Sequence, residues 1–210
     1  MEYTGSESVV IIPKKFQGKP VSRIGSFAFY GNKTLMAVTI DSNIASLGGL
    51  CFGSCPSLKK VTFLSGGNYE IGHCAFRACE KLSDVNLTDV KILRASCFAL
   101  CKSLKTLNCP KSVVYFGANC FYDDNIDITI ECDNIKSMTV EPYAFFYIGE
   151  QSKVTFKNIS QPTTLTSVSG DSAGSNTYFN YSNSYVEKNV YKQGVWCNLY
   201  YHIRLPLNFK

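Results

Sequence analysis

Phenylalanine recurs along this chain at Phe29, Phe52, Phe76, Phe98, Phe121 and Phe145, with gaps of 23, 24, 22, 23 and 24 residues. Five residues before each ring stands an apolar residue: Ile24, Leu47, Ile71, Leu93, Phe116 and Val140. Immediately before it stands a small one: Ala28, Cys51, Ala75, Cys97, Cys120 and Ala144. Nine and eleven residues after it comes an apolar pair: Val38/Ile40, Val61/Phe63, Val85/Leu87, Leu107/Cys109, Ile130/Cys132 and Val154/Phe156. Alternation of the pair with polar neighbours predicts a half-buried strand in every repeat. The small residue and Phe predict a tight turn, or a single helical turn, that sends the ring into the core. Self-similarity at such a period is the mark of a solenoid, in which each unit buries its apolar face only by stacking on its neighbours.

The same register divides the chain. Val9–Ile12 supplies a strand without the first half of its repeat, so residues 1–20 read as an N-terminal cap. Residues 21–158 are the repeats, about six of 22–24 residues, with Asp127 and Gln151 standing where the fifth and sixth strands should lead with Leu. Residues 159–185 are rich in Ser, Thr, Asn and Gly and read as a polar linker or loop. In 186–210, Val195 through Phe209 alternates with period two, which predicts a C-terminal β segment: a cap strand, or one that pairs with another chain in self-association.

Composition alters this picture in one place. Ten cysteines suggest a disulfide framework, but most fall in the inward register: Cys51, Cys97 and Cys120 before the Phe, Cys55, Cys79 and Cys101 three after it. They are expected to be buried free thiols acting as small hydrophobes. The Cys-x3-Cys spacings lack the form of a zinc site. Bridges between adjacent coils fit on distance, with poor side-chain geometry. A net charge of +5, with basic residues spread singly, gives no nucleic-acid or membrane signature. No apolar stretch is long enough to span a bilayer, and the first residues do not form a signal peptide.

The stretch IPKKFQGKPVSRIGSFAFYGNKTL and the repeated IG-x2-(A/C)F-x2-C-x2-L-x2-V-x-(I/F/L) resemble the BspA-like, or Treponema pallidum-type, class of leucine-rich repeats, over about residues 9 to 158. The chain departs from that pattern at Arg94 and Glu141, which replace a glycine found at Gly25, Gly48, Gly72 and Gly117. The resemblance implies an α/β-type leucine-rich-repeat solenoid dominated by strands. It also implies a non-catalytic protein-binding or adhesion module of a cell-surface or secreted protein, with a protein or glycan partner. The alternative is an intracellular scaffold or a structural component of a larger assembly, a virion included.

Catalytic chemistry has no foothold. His73 and His202 belong to no catalytic or metal-binding spacing, Asp123 and Asp124 read as turn residues, and no phosphate loop or cofactor motif occurs. The expected functional surface is the concave sheet of outward strand residues: Thr39, Lys60, Thr62, Asp84, Asn86, Thr106, Asn108, Thr129, Glu131, Lys153 and Thr155. These are also ordinary β-favouring polar residues of a solvated face, and small side chains make weak anchors. Tyr30, Tyr122, Phe146, Tyr147, Tyr178, Phe179, Tyr181 and Tyr185 are the competing aromatic anchors.

Overall fold

A computed structural model describes residues 3–131, 138–141, 144–145, 153–157 and 178–181. Strand β1 (Val9–Ile11) opens the stack, and β2 (Lys15–Phe16) and β3 (Lys19–Pro20) form an antiparallel hairpin after it. Each coil then contributes an entry strand and a closing strand. They are β4 (Arg23–Ile24) and β5 (Ala37–Ile40), β6 (Ser46–Leu47) and β7 (Lys60–Phe63), and β8 (Tyr69–Ile71) and β9 (Asp84–Val85). They continue as β10 (Val90–Leu93) and β11 (Thr106–Cys109), β12 (Tyr115–Phe116) and β13 (Asp127–Glu131), and β14 (Thr139–Val140) and β15 (Lys153–Lys157). Strand β16 (Tyr178–Tyr181) pairs with β15 and falls within the stretch 159–185. The segment 186–210 lies outside the described residues.

The entry strands form one parallel sheet in the order β14-β12-β10-β8-β6-β4. The closing strands form two, β1-β5-β7-β9 and β11-β13-β15-β16. This is the strand-dominated solenoid that the periodicity predicts. Among the described residues the segment around each Phe is a turn and not a helix. The residue two before the Phe has positive φ in every fully described coil: Phe27 at 61°, Leu50 at 54°, Cys74 at 56°, Ser96 at 57° and Asn119 at 56°. So has the residue two after it, with Ser54 at 55°, Ala78 at 59°, Leu100 at 65° and Asp123 at 63°. Left-handed backbone costs a non-glycine residue about 1–2 kcal/mol. What offsets the cost is a ladder that the turn shape aligns. The Phe29 N–H donates to Cys51 O at 2.7 Å, Phe52 to Ala75 O at 2.8 Å, Phe76 to Cys97 O at 2.8 Å and Phe98 to Cys120 O at 2.9 Å.

The rings follow the backbone. Phe29, Phe52, Phe76, Phe98, Phe121 and Phe145 stack in sequence with centroids 4.8, 5.3, 5.4, 6.1 and 6.1 Å apart and planes 1–19° from parallel. Those spacings follow the roughly 4.8 Å separation of hydrogen-bonded strands. Tyr3 covers the open end, its ring 4.6 Å from Phe29. The glycine before the turn also has a steric cause. A Cβ on Gly48 would lie 2.4 Å from Ser26 N, one on Gly72 2.2 Å from Leu47 O, and one on Gly117 2.5 Å from Ala95 N. Each glycine lets its coil settle onto the backbone of the one before.

The eight described cysteines are free, and all but Cys74 are buried. Four have a directional role beyond filling space, Cys120 by donating to Gly117 O at 2.8 Å in its own coil. The thiols of Cys55, Cys79 and Cys101 donate to the Phe29, Phe52 and Phe76 carbonyls one coil back, at 3.0, 3.0 and 3.2 Å. Asp124 occupies the same register in the next coil and is buried at 1% exposure. Its Oδ1 accepts the Cys101 N–H at 2.6 Å, while Oδ2 has no partner. The sequence reads Asp124 as a turn residue and gives no burial for it. Its offset of three from Phe121 was the available sign of burial.

The fifth coil corrects the spacing rule. Leu107 pairs with Ile128 and Cys109 with Ile130, so the inward pair is Ile128/Ile130 and not Ile130/Cys132. The turn after Phe121 is short, and the wholly buried Ile126 fills the leading position that spacing assigned to Asp127.

Burial raises the Asp124 carboxyl from its ordinary 3.8 to about 8, its desolvation outweighing the Cys101 N–H bond. A raised folded-state pKa means that stability is full below pH 3.8 and falls by about 1.4 kcal/mol per pH unit until the group ionises in the fold near pH 8. Asp124→Asn keeps the acceptor and removes the ionisation. Thermal melts from pH 4 to 9 should show the variant gaining on the parent chain as pH rises, with the difference levelling off above pH 8.

Candidate functional site

The outward strand residues are brought together in two groups. In the first, Ala37, Lys60 and Asp84 are in register, and Thr39 is in register with Thr62. In the second, Thr106 faces Asp127, Asn108 faces Thr129, Thr129 faces Thr155, and Glu131 faces Lys157. Thr129 is therefore the partner of Asn108 and Thr155 in the polar row. Residue spacing sets Glu131 level with Asn108 and Thr155, but the two-residue shift of β13 places it beyond them. Lys153 is in register with Tyr178 of β16.

Asn86 ends the first group. Its exposed position agrees with the outward assignment, but its amide turns back along the sheet. Oδ1 accepts the Phe63 N–H at 2.6 Å and Nδ2 donates to Phe63 O at 3.3 Å. The side chain supplies to the end of β7 the bonds that a longer β9 would otherwise make. Strand β9 stops at Val85, and no ladder joins it to β11. Between the two lies a groove of about 700 Å³. Five of the expected site residues line it, Asp84, Asn86, Thr106, Asn108 and Glu131, with Thr88, Asp89, Lys111 and Ser112 along its edge. Nothing in the periodicity announces this break, because Val85/Leu87 fits the strand pattern. The shortest gap between phenylalanines, from Phe76 to Phe98, was the only sign.

The charges on this face are partly paired. Lys60 Nζ lies 2.6 Å from Asp84 Oδ2, with both side chains more than half exposed, a contact of small energetic value. Asp89 Oδ2 accepts the Gly66 N–H at 2.7 Å.

The other sheet carries the residues that break the glycine pattern. Arg94 Nε contacts Glu70 Oε1 at 2.7 Å, and its guanidinium sits 5.2 Å from the centre of the Tyr115 ring. The Tyr115 hydroxyl donates to Glu141, whose other oxygen accepts the Ala118 N–H at 2.9 Å. The Tyr115 bond holds the Glu141 carboxyl below its usual range, and the carboxylate in turn raises the phenol. Arg94 and Glu141 thus join successive coils through side chains where glycine elsewhere does so by close approach. Tyr30 and Tyr122 are exposed, as an aromatic anchor requires. Phe146, Tyr147, Tyr185 and His202 lie outside the described residues. No group of three or more metal-ligating side chains occurs among the described residues, and no helix there is long and apolar enough to cross a membrane.

A coiled stack of this kind, with parallel strands on two sides and a polar closing face, defines the class of leucine-rich-repeat solenoids. The family model for the BspA type leucine rich repeat region matches in six copies, over residues 10–127 and 70–193, and the chain belongs to that family. The fold is similar to the crystal structure of the T. pallidum leucine rich repeat protein, with a TM-score of 0.57 and 22% identity over 74% of this chain and 75% of that one. It is similar as well to a leucine rich cell surface protein from Faecalibacterium prausnitzii A2-165, with a TM-score of 0.58 and 24% identity. That match covers 79% of this chain and 51% of the other, so this chain spans about half its length. Comparison with curated proteins finds no match.

Asn86→Ala should cost about 1–3 kcal/mol, because it strips partners from both backbone groups of the buried Phe63. Chemical denaturation of the variant, beside Asn108→Ala as a control with little effect, checks the assignment.

Proposed function

We propose that this protein is a non-catalytic binding or adhesion module of a cell-surface or secreted protein, and that it holds a protein or glycan partner on the closing-strand face. The observation that carries the reading is the register of that face. Thr39 with Thr62, and Asn108 with Thr129 and Thr155, are polar residues held in register along the two closing sheets. Rigid rows lose little entropy on binding, which compensates for the lack of aromatic anchors. Membership of a leucine-rich-repeat family and likeness to a bacterial leucine rich cell surface protein support the surface setting. A second reading, an intracellular scaffold or part of a larger assembly, draws on the free buried thiols, which suit a reducing compartment.

The test is binding of the labelled protein to arrayed extracellular-matrix proteins and glycans. The expected result is saturable binding to at least one arrayed species. Lys60→Glu combined with Thr62→Trp should weaken it about tenfold or more while circular dichroism stays unchanged. Binding indifferent to those substitutions would remove the strand face from the reading, and an array with no bound species would remove the adhesion role itself.

A further inference from the structure

The groove between β9 and β11 is a break in a sheet and not a dimple on a continuous one. Everywhere else on the closing face, one coil donates to the carbonyls of the coil before: Lys60 N to Met36 O at 3.2 Å, Asp84 N to Lys59 O at 3.0 Å, Asp127 N to Lys105 O at 2.9 Å. By the same alternation the N–H groups of Thr106 and Asn108 are aimed at the third coil, where no ladder receives them. Unpaired strand edges are templates for another strand. The break is also fixed in place. On the turn side, Phe76 and Phe98 stack at 5.4 Å and the Phe76 N–H reaches Cys97 O at 2.8 Å. Nearer the groove, Ser103 N still reaches Glu80 O at 3.1 Å.

We propose that this groove takes an extended, basic segment of a partner polypeptide, bound by backbone pairing to the open edge of β11 and by its side chains to the acidic rim. The proposal rests on the reading that the closing face binds a partner, and it names the partner's chemistry. Two observations select a peptide of this kind. Backbone N–H groups in strand geometry call for backbone carbonyls spaced as in a strand, which is how peptides add to sheet edges. The charged groups of the lining are Asp84, which pairs with Lys60, and Asp89 and Glu131 against Lys111, a small acidic excess on a chain of net charge +5. A cationic segment is therefore drawn to this place and away from the rest of the surface. At about 700 Å³ the groove is of ordinary ligand-pocket size, enough for a few residues.

The experiment is selection of a random dodecapeptide library, displayed on phage, against the full chain. The expected peptides are rich in Lys or Arg and in β-branched residues. A synthetic copy of the best should lose about tenfold or more in affinity for Asn108→Trp and for Thr106→Trp, two exposed positions whose substitution fills the groove without touching the core. Glu131→Lys should weaken binding similarly, and alternate N-methylation of the peptide backbone should abolish it. Lys33→Trp, at an exposed position outside the groove and off the strand rows, should leave it unchanged. Selection of no peptide, selection of acidic or neutral peptides, indifference to the groove-filling variants, or full binding of the N-methylated copy would overturn the proposal. Binding lost on Thr62→Trp and kept on Asn108→Trp would overturn it while leaving the broader reading of the face intact.

Discussion

Every coil of this molecule leaves half of its backbone hydrogen-bonding groups pointing along the stack, and only the neighbouring coil can meet them. On the turn side the match is complete and regular. In the fully described coils, paired left-handed residues two before and two after the Phe aim alternate N–H groups at the next coil, and the rings stack at a similar spacing. Other features follow from that fit. Gly48, Gly72 and Gly117 are there because the coil below comes too close for a Cβ. Cys55, Cys79 and Cys101 are there because a small apolar residue with a weak donor satisfies the second lone pair of the Phe carbonyl. Tyr3 serves the ladder's open end.

Where the repeat relaxes, chemistry enters. Asp124 takes the thiol's place and brings a carboxyl into the core, whose burial ties the stability of the fifth coil to pH. Arg94 and Glu141 take the glycine's place and tie the entry sheet together through Glu70 and Tyr115. Asn86 takes the place of a longer strand by bonding Phe63, at the coil where the closing sheet divides in two. The first two substitutions restore the contacts between coils by other means. Beside the third lies the groove between β9 and β11.

Much of this was legible in the sequence. The phenylalanine register, the inward cysteines and the parallel strands follow from residue spacing, because a solenoid repeats its physics with its period. Nearly all the outward residues fall on the expected face. What escaped was set by geometry that spacing does not encode. Leu50 and Leu100 carry no mark of left-handed backbone, since bulky residues seldom adopt it. The short turn after Phe121 shifts β13 by two residues, which moves Glu131 out of the polar row and Thr129 into it. Asn86 read as an outward strand residue, and only its partner, Phe63, reveals that it ends a sheet.

The turn ladder holds the stack, and the closing face is the side on which the pairing between coils is interrupted. Native-state hydrogen exchange tests that division directly. Amides of Phe52, Phe76 and Phe98 should exchange only through global unfolding, while those of Thr106 and Asn108 should exchange much faster than Lys60 and Asp127 on the same face. Protection of Thr106 and Asn108 equal to that of Lys60 would mean a continuous sheet and no break. Fast exchange at Phe76 or Phe98 would mean that the turn ladder does not hold the coils together.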